Sequence, residues 1–380
     1  MVVYFNPTCE MAVRQDGMNY TPPKALAKME MDLAPLMAFL TSKGDKIVGQ
    51  EPDGVVIEML DRQKKGTMFV SVEGARKMVA SGEEFRPWGF SRATMAQFGM
   101  KEFARGWNLR DLLSRRTSVM VEKIVNGKLG CVDAAEAVVT DGVGDVRDYL
   151  KRGVVVVKSL WSASGRGVRF YGRGEESLAM EYAEKCIRAD GAVVVERKLE
   201  RVAELSFLFW ADDRGVEYRG ANAYRSGNGG AFGSEIIEGE AFDEISSVCE
   251  RWEETYGETL RGALEETLMD TGYRGAVGVD AMVYRDEDGR LGVRSCMEVN
   301  VRYCMGHVAN EVKKMMAEGA HGYWRIEKFG ADGEWDAYCE RMSKEKPLGM
   351  DENGRITSGF FRLTGLGNDV RFGACGEVKK

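Results

Sequence analysis

Gly278-Val-Asp-Ala-Met-Val-Tyr284 and Val293-Arg-Ser-Cys-Met-Glu-Val-Asn-Val-Arg-Tyr303 are two β-prone runs joined by the charged turn Arg285–Arg290. They read as a hairpin. Side chains alternate along a strand, so Glu298 and Asn300 share one face, while Met297 and Val299 face the other way, toward a core. Asp280 lies on the partner strand. Carboxylates gathered on one face repel each other unless a cation joins them. Asp280, Glu298 and Asn300 offer three hard oxygen donors, the set that suits magnesium. A merely polar sheet face accounts for this pattern less well.

A second stretch lies upstream, Val154-Val-Val-Val-Lys-Ser-Leu-Trp-Ser-Ala-Ser-Gly-Arg-Gly-Val168. A buried strand ends at Lys158, passes through a loop of small residues and resumes as a strand. Glycines let backbone N–H groups approach phosphate oxygens, Ser162 and Ser164 add donors, and Lys158 supplies a point charge. No G-x-x-x-x-G-K-[ST] occurs, and the loop leads to a strand rather than a helix, so this is not a Walker A loop. An ordinary hairpin with a glycine turn explains the loop about as well when it is taken alone. The third stretch, Ala192-Val-Val-Val-Glu-Arg-Lys-Leu-Glu-Arg-Val-Ala-Glu204, is an apolar strand running into a polar segment. Such a hinge has backbone groups for an adenine edge, and Glu204 can accept from ribose hydroxyls. A solvated loop is the plainer explanation.

In this order the three stretches resemble the ATP-grasp superfamily of carboxylate–amine ligases, over about residues 150–305. Pro87-Trp-Gly-Phe90 and Leu113-Ser-Arg-Arg-Thr117 resemble the lead-in of members that carry a pre-ATP-grasp domain. The resemblance implies two α/β lobes with the nucleotide between them, preceded by a small α/β domain. It implies that Lys158 contacts the α/β-phosphates and that Ser162, Ser164, Gly165, Arg166 and Gly167 form a lid over them. Glu196 with Arg197, Lys198 and Leu199 would hold the adenine, Glu204 the ribose, and Asp280, Glu298 and Asn300 the magnesium, with manganese able to substitute. Arg302 would stabilise the transferred phosphoryl or a substrate carboxylate. Family members carry a further lysine early in the small lobe. Here Arg116 stands near that place, with Lys123 and Lys128 as alternatives. The glycine-rich stretch Tyr224–Gly233 reads as a flexible loop from which Arg225 can reach phosphates or substrate, or as a plain surface loop.

The rest of the chain fits a globular α/β enzyme. At 380 residues it exceeds one compact core, and with only 7 prolines long linkers are not expected. The expected units are 1–90 (an N-terminal α/β domain), 91–150 (a helical connection), 151–200 (the small lobe), 201–330 (the large lobe) and 331–380 (a closing segment). A formal charge of −7 gives no general attraction to nucleic acid or anionic membranes. No apolar run is long enough to cross a bilayer, and Met1-Val-Val-Tyr-Phe-Asn-Pro7 lacks a secretory pattern, which points to the cytoplasm. The eight cysteines contain no C-x-x-C pair, so neither a zinc knuckle nor a disulfide framework is indicated. Only His307 and His321 are present, which argues against a Ser-His-Asp hydrolase.

Local patterning gives further expectations. Leu26, Met29, Leu33, Met37 and Leu40 predict one helix, Val55–Leu60 and Met68–Val72 predict strands, Pro87–Arg116 predicts helix, and Ala241–Thr271 predicts another. By the resemblance, the activity is ATP-dependent amide or peptide bond formation through an acyl phosphate, from small-molecule or peptide carboxylate and amine substrates. A homodimer is left open. A small-molecule kinase and a catalytically silent nucleotide binder are the alternatives, and the first of these lacks an identifiable base.

Overall fold

The computed structural model describes all residues except 101–107, 133, 163–166, 227–231, 238–239 and 380, with the backbone alone described at 226, 232–237 and 240. Its strands in chain order are β1 (Val2–Tyr4), β2 (Lys46–Val48), β3 (Met68–Val70), β4 (Phe85–Pro87), β5 (Val138–Thr140), β6 (Val155–Ser159), β7 (Val168–Tyr171), β8 (Val193–Arg197) and β9 (Glu200–Asp212). They continue as β10 (Gly215–Ser226), β11 (Phe232–Ile237), β12 (Gly275–Arg285), β13 (Leu291–Asn300), β14 (His321–Lys328), β15 (Gly349–Met350), β16 (Ile356–Arg362) and β17 (Phe372–Lys379). The strands make a parallel four-stranded sheet in the order β3-β2-β1-β4, a four-stranded sheet β5-β8-β6-β7, and a nine-stranded sheet β13-β12-β9-β10-β11-β14-β17-β16-β15. The α/β class expected from the sequence is the one observed.

The long central strands β9 and β12 have two occupied faces. Phe207, Phe209, Val277 and Val279 pack with the helices Trp252–Leu268 and Arg115–Leu129 on one side. On the other, Trp210 and Ala276 meet Trp88 of the N-terminal unit. Alternation puts Ser206 with Trp210 and Asp280 with Ala276, so the hairpin carboxylate belongs to the face turned toward the N-terminal unit. The smaller sheet closes its own core with Ala179, Ala183 and Cys186 of the helix Glu176–Asp190 and Val146 of the helix Val143–Arg152, against Val155, Val157, Val193 and Val195.

Several local expectations are corrected. Val55–Leu60 lies in a helix, Gly54–Arg62, not a strand. Asp53 caps it by accepting from the Val55 N–H at 3.2 Å, and the buried residues Val56, Met59 and Leu60 fall at helical steps, which outweighs the β preference of Val-Val-Ile. The helix expected through Leu40 is α-helical only over Lys24–Leu33 and tightens to a 3₁₀ helix over Ala34–Leu40, where Pro35 has no N–H for a longer α-helix. Met68–Val70 is a strand, but Val72 already begins a helix capped by Ser71. The segment from Pro87 divides into helices Arg92–Gln97, Leu109–Leu112 and Arg115–Leu129 after β4, and residues 101–107 lie outside the described residues. Ala241–Thr271 divides into helices Glu240–Val248 and Trp252–Leu268. Tyr224–Gly233 is largely a hairpin, because Tyr224, Arg225 and Ser226 pair with Ser234, Gly233 and Phe232; its tip, 227–231, lies outside the described residues.

Candidate active site

On the central sheet Asp280 of β12 stands directly opposite Glu298 of β13 and, on its other side, opposite Ser206 of β9. Gly278 is paired with Asn300 in the same register. A Cβ at Gly278 would come within 2.6 Å of the Cys304 sulfur, so only glycine lets the chain after β13 lie this close. Beyond Glu298 the ladder slips. The interval Asp280–Met282 faces the longer interval Arg294–Glu298, and such a bulge re-aims side chains beside a site.

The three oxygen-bearing residues singled out from the sequence are therefore together. The Asn300 amide donates to Asp280 Oδ2 at 3.0 Å. Burial, followed by repulsion from Glu298, pushes the Asp280 carboxyl up to about 7. Two facing acids whose charge is this costly are short of positive charge. No cluster of three His, Cys, Asp or Glu side chains gathers among the described residues. Two carboxylates and an amide instead match magnesium, which takes one or two carboxylates and completes its shell with phosphate and water. As oriented, Asn300 Oδ1 accepts from Arg302 at 2.9 Å, so the amide would have to turn over to give that oxygen to a cation.

Arg302 is held on three sides. It also donates to Glu10 Oε1 at 2.8 Å and to the Tyr303 carbonyl at 2.9 Å. Glu10 belongs to the first helix, Cys9–Gln15, so this buried pair fastens the N-terminal unit to the end of β13. Gly89, from Pro87-Trp-Gly-Phe90, approaches the same point: a Cβ there would meet the Cys9 sulfur at 2.3 Å and the Arg302 Cβ at 3.2 Å.

Among the described residues, Arg115 forms an ion pair with the acidic hairpin. It donates to Glu298 Oε1 at 2.7 Å, and its other terminal nitrogen donates to the Ser159 carbonyl at 2.6 Å and to Ser162 Oγ at 2.9 Å. One guanidinium thus joins the acidic hairpin to the start of the glycine loop. Arg116 is exposed one position along the helix, as is Lys123, while Lys128 pairs with Glu266 at 2.5 Å. Arg115, Ser118 and Glu122 recur at steps of three and four and form a buried polar stripe against β13. Ser118 accepts from the Val299 N–H at 2.9 Å, and Glu122 accepts from Arg294 at 2.5 and 2.9 Å. If the chain turns over ATP as the sequence resemblance implies, Arg115→Ala is expected to lower that turnover at least about tenfold, since it removes a buried, charge-assisted contact on both sides of the site. Arg116→Ala should change it less than about twofold, in line with other exposed substitutions. Steady-state ADP release by the two variants checks this.

Lys158 leaves the end of β6 and donates to Glu196 Oε1 at 2.7 Å. The other Glu196 oxygen accepts from Arg294 at 3.1 Å. Burial opposes the charge on Glu196, but Arg294 and Lys158 outweigh it and hold its carboxyl at about 2. The glutamate expected to mark the adenine hinge is thus the centre of a buried ionic chain from Lys158 through Arg294 to Glu122. Arg197 and Lys198 give their backbone N–H groups to the carbonyls of Ala135 and Val154, Lys198 is exposed over the Phe170 ring, and Leu199 is half-buried. Only residues 198 and 199 separate β8 from β9, so the two lobes meet at this short link. Glu204 is buried on β9 and accepts from Arg201 at 2.6 Å. Arg225 is exposed opposite Gly233 on the β10–β11 hairpin. In the glycine loop, a Cβ at Gly167 would lie 2.1 Å from Ser159 Oγ and 2.5 Å from Ser162 Oγ, which forces a residue without one. Ser164, Gly165 and Arg166 lie outside the described residues.

The sequence assigned no site role to Arg115, beyond its place in the lead-in motif, or to Glu122 and Arg294, and it offered Glu10 only within Asn6-Pro-Thr-Cys-Glu10, read either as part of an acceptor site or as a strand-ending turn. For the first two a signal existed, the 115/118/122 stripe of polar residues on one helical face. For Arg294 none did, because its partners lie 98 and 172 residues away, and the pairing of Glu10 with Arg302 spans 292.

No protein-family model matches the chain, and no curated relative does. Solved structures do. The biotin carboxylase–β-γ-ATP complex from Campylobacter jejuni superposes with a TM-score of 0.51 at 12% identity, over 100% of this chain and 87% of that one. N5-carboxyaminoimidazole synthetase from Staphylococcus aureus, complexed with ADP, superposes with a TM-score of 0.50 at 10% identity, over 100% of this chain and 93% of that one. With a hairpin-bearing small lobe joined by a two-residue link to a large sheet that carries the acidic hairpin, this chain has the ATP-grasp fold.

Proposed function

We propose that this chain is an ATP- and magnesium-dependent ligase that joins a carboxylate to an amine through an acyl phosphate, releasing ADP and phosphate. The observation that carries the reading is the cross-strand pair Asp280–Glu298, with Asn300 and Arg302 continuing the row and Arg115, at the start of the helix Arg115–Leu129, linking it to the glycine loop. The nucleotides named in the complexes of the two structural neighbours support ATP as the energy source.

In this reading a carboxylate oxygen attacks the γ-phosphorus, the bond from that phosphorus to the ADP oxygen breaks, and ADP leaves. The amine nitrogen then attacks the acyl carbon, phosphate departs with the C–O bond electrons, and the nitrogen loses a proton. Asp280, Glu298 and Asn300 would hold magnesium, which would supply charge to offset the phosphate oxygens. Lys158 and Arg115 bring fixed positive charge to the phosphate side, and the Ser162 hydroxyl lies against Arg115. Arg302 arrives already oriented by Glu10 and Asn300, so little reorganisation is needed when it grips a planar carboxylate or a phosphoryl group.

The discriminating experiment supplies ATP, magnesium, pooled carboxylates and hydroxylamine. A ligase yields a hydroxamate together with ADP, a kinase yields a stable phosphate ester, and a silent binder yields neither. Arg302→Lys should lower hydroxamate formation about tenfold or more while ATP binding changes little, because lysine keeps the charge but loses the fork. A stable phosphorylated alcohol without hydroxamate would reject the ligase reading.

A further inference from the structure

The two terminal nitrogens of Arg115 are committed in different directions. One donates to the Ser159 carbonyl at 2.6 Å and to Ser162 Oγ at 2.9 Å, which fixes the guanidinium at the start of the glycine loop. The other reaches Glu298 Oε1 at 2.7 Å. The arginine side chain is 5% exposed and the glutamate 34%, so the pair stands where packed structure meets solvent. The first nitrogen is an anchor. The second holds a partner that can be exchanged.

Both members of that contact have another use. Glu298 faces Asp280 across the β12–β13 ladder, and these carboxylates with Asn300 make the donor set that fits magnesium. A guanidinium at 2.7 Å engages the carboxylate oxygen and sets a like charge beside any cation that approaches it. Conversely, the carboxylate neutralises the guanidinium and repels a phosphate brought beside it. Lys158, the other cation on the phosphate side, is tied differently. Its partner Glu196, at 2.7 Å, lies on β8 away from the acidic hairpin and is also held by Arg294 at 3.1 Å, so a metal on the hairpin does not release it. Arg115 is paired with a residue that the metal itself would take.

We propose that magnesium and Arg115 compete for Glu298, and that Glu298 and nucleotide phosphate compete for Arg115, so that each ligand clears the site of the other. Magnesium takes the carboxylate and frees one guanidinium nitrogen; phosphate takes that nitrogen and frees the carboxylate. The guanidinium need not travel, because Ser159 and Ser162 keep its other nitrogen in place. Metal and nucleotide therefore bind with a positive coupling beyond their direct contact with each other, and linkage makes the coupling equal in both directions. The proposal rests on the ATP and magnesium binding of the ligase reading and does not need the acyl phosphate.

The test uses the full chain with each ligand added singly. Mn²⁺, a paramagnetic substitute for magnesium, is titrated without nucleotide and its free form read by electron paramagnetic resonance. ATP is titrated in EDTA by calorimetry. Arg115→Met should bind Mn²⁺ about three- to tenfold more tightly than the wild type, the size of a partly exposed charge-assisted contact, and adding Asp280→Asn should remove the gain, which locates the ion at the hairpin. Glu298→Gln should bind metal-free ATP about three- to tenfold more tightly than the wild type. In the Arg115→Met background the same substitution should bring no gain, because no guanidinium is left to release. A gain of equal size there would show plain repulsion between Glu298 and phosphate and would overturn the proposal, as would Mn²⁺ binding by Arg115→Met no tighter than by the wild type. Should Arg115→Met fold poorly, Arg115→Gln, which keeps an uncharged donor at that position, takes its place in both arms. The hydroxamate assay is separate: coupled binding without hydroxamate rejects the ligase and leaves the coupling standing, and hydroxamate with uncoupled binding does the reverse.

Discussion

Glu298→Gln should lower product formation about 10²- to 10³-fold while leaving the folded chain intact. The substitution keeps volume and hydrogen-bonding capacity but removes one of the two charges that face each other across β12 and β13. Loss of a charged group that orients and neutralises a reacting phosphate typically costs that much. It also leaves Arg115 without its carboxylate partner, loosening the link from the acidic hairpin to Ser159 and Ser162. Arg115, only 5% exposed, keeps its hydrogen bonds to the Ser159 carbonyl and the Ser162 hydroxyl and can still donate to the glutamine amide oxygen, so circular dichroism should match the wild type. Asn300→Asp should be milder, because it adds an oxygen donor but loses the N–H given to Asp280. ADP release and product mass measure both variants, and wild-type turnover by Glu298→Gln would remove the acidic hairpin from the mechanism.

Arg294→Met is the substitution expected to cost most stability, about 3–5 kcal/mol, because it strands Glu122 and Glu196 in a buried site without their shared partner. It should act on function as well. With Arg294 gone, Glu196 is left to Lys158, and under the proposed ligase reading the lysine is then held away from phosphate, raising the KM for ATP. Replacing Glu122, Glu196 and Arg294 together by Gln, Gln and Met should recover most of the lost stability and leave Lys158 unheld. The same chain sets a pH dependence. Glu196 is depressed to about 2 from its ordinary value, so its contribution is fully present above about pH 4.5 and is lost as pH falls toward 2. Urea midpoints across that interval should fall more steeply for the wild type than for the triple variant. A midpoint for Arg294→Met equal to the wild type would show that the chain carries no such energy.

The sequence by itself determined the elements whose signal is local. Alternation in Gly278–Tyr284 and Val293–Asn300 is a two-residue period, and it suffices to pair β12 with β13 and to put Asp280 and Glu298 on one face. The valine runs ending at Lys158 and Glu196 likewise became β6 and β8. Local signal failed where a neighbour in the chain overrode propensity, as when the Asp53 cap turned Val55–Leu60 into a helix and Pro35 tightened the end of another. Tertiary structure alone decided how the site is wired. That Arg115 rather than Arg116 faces β13 depends on the rotation of one helix about its axis, a matter of 100° per residue set by packing. The pairing of Arg302 with Glu10, and of Arg294 with both Glu122 and Glu196, joins segments far apart in sequence, and the energy of such pairs exists only once water is excluded around them.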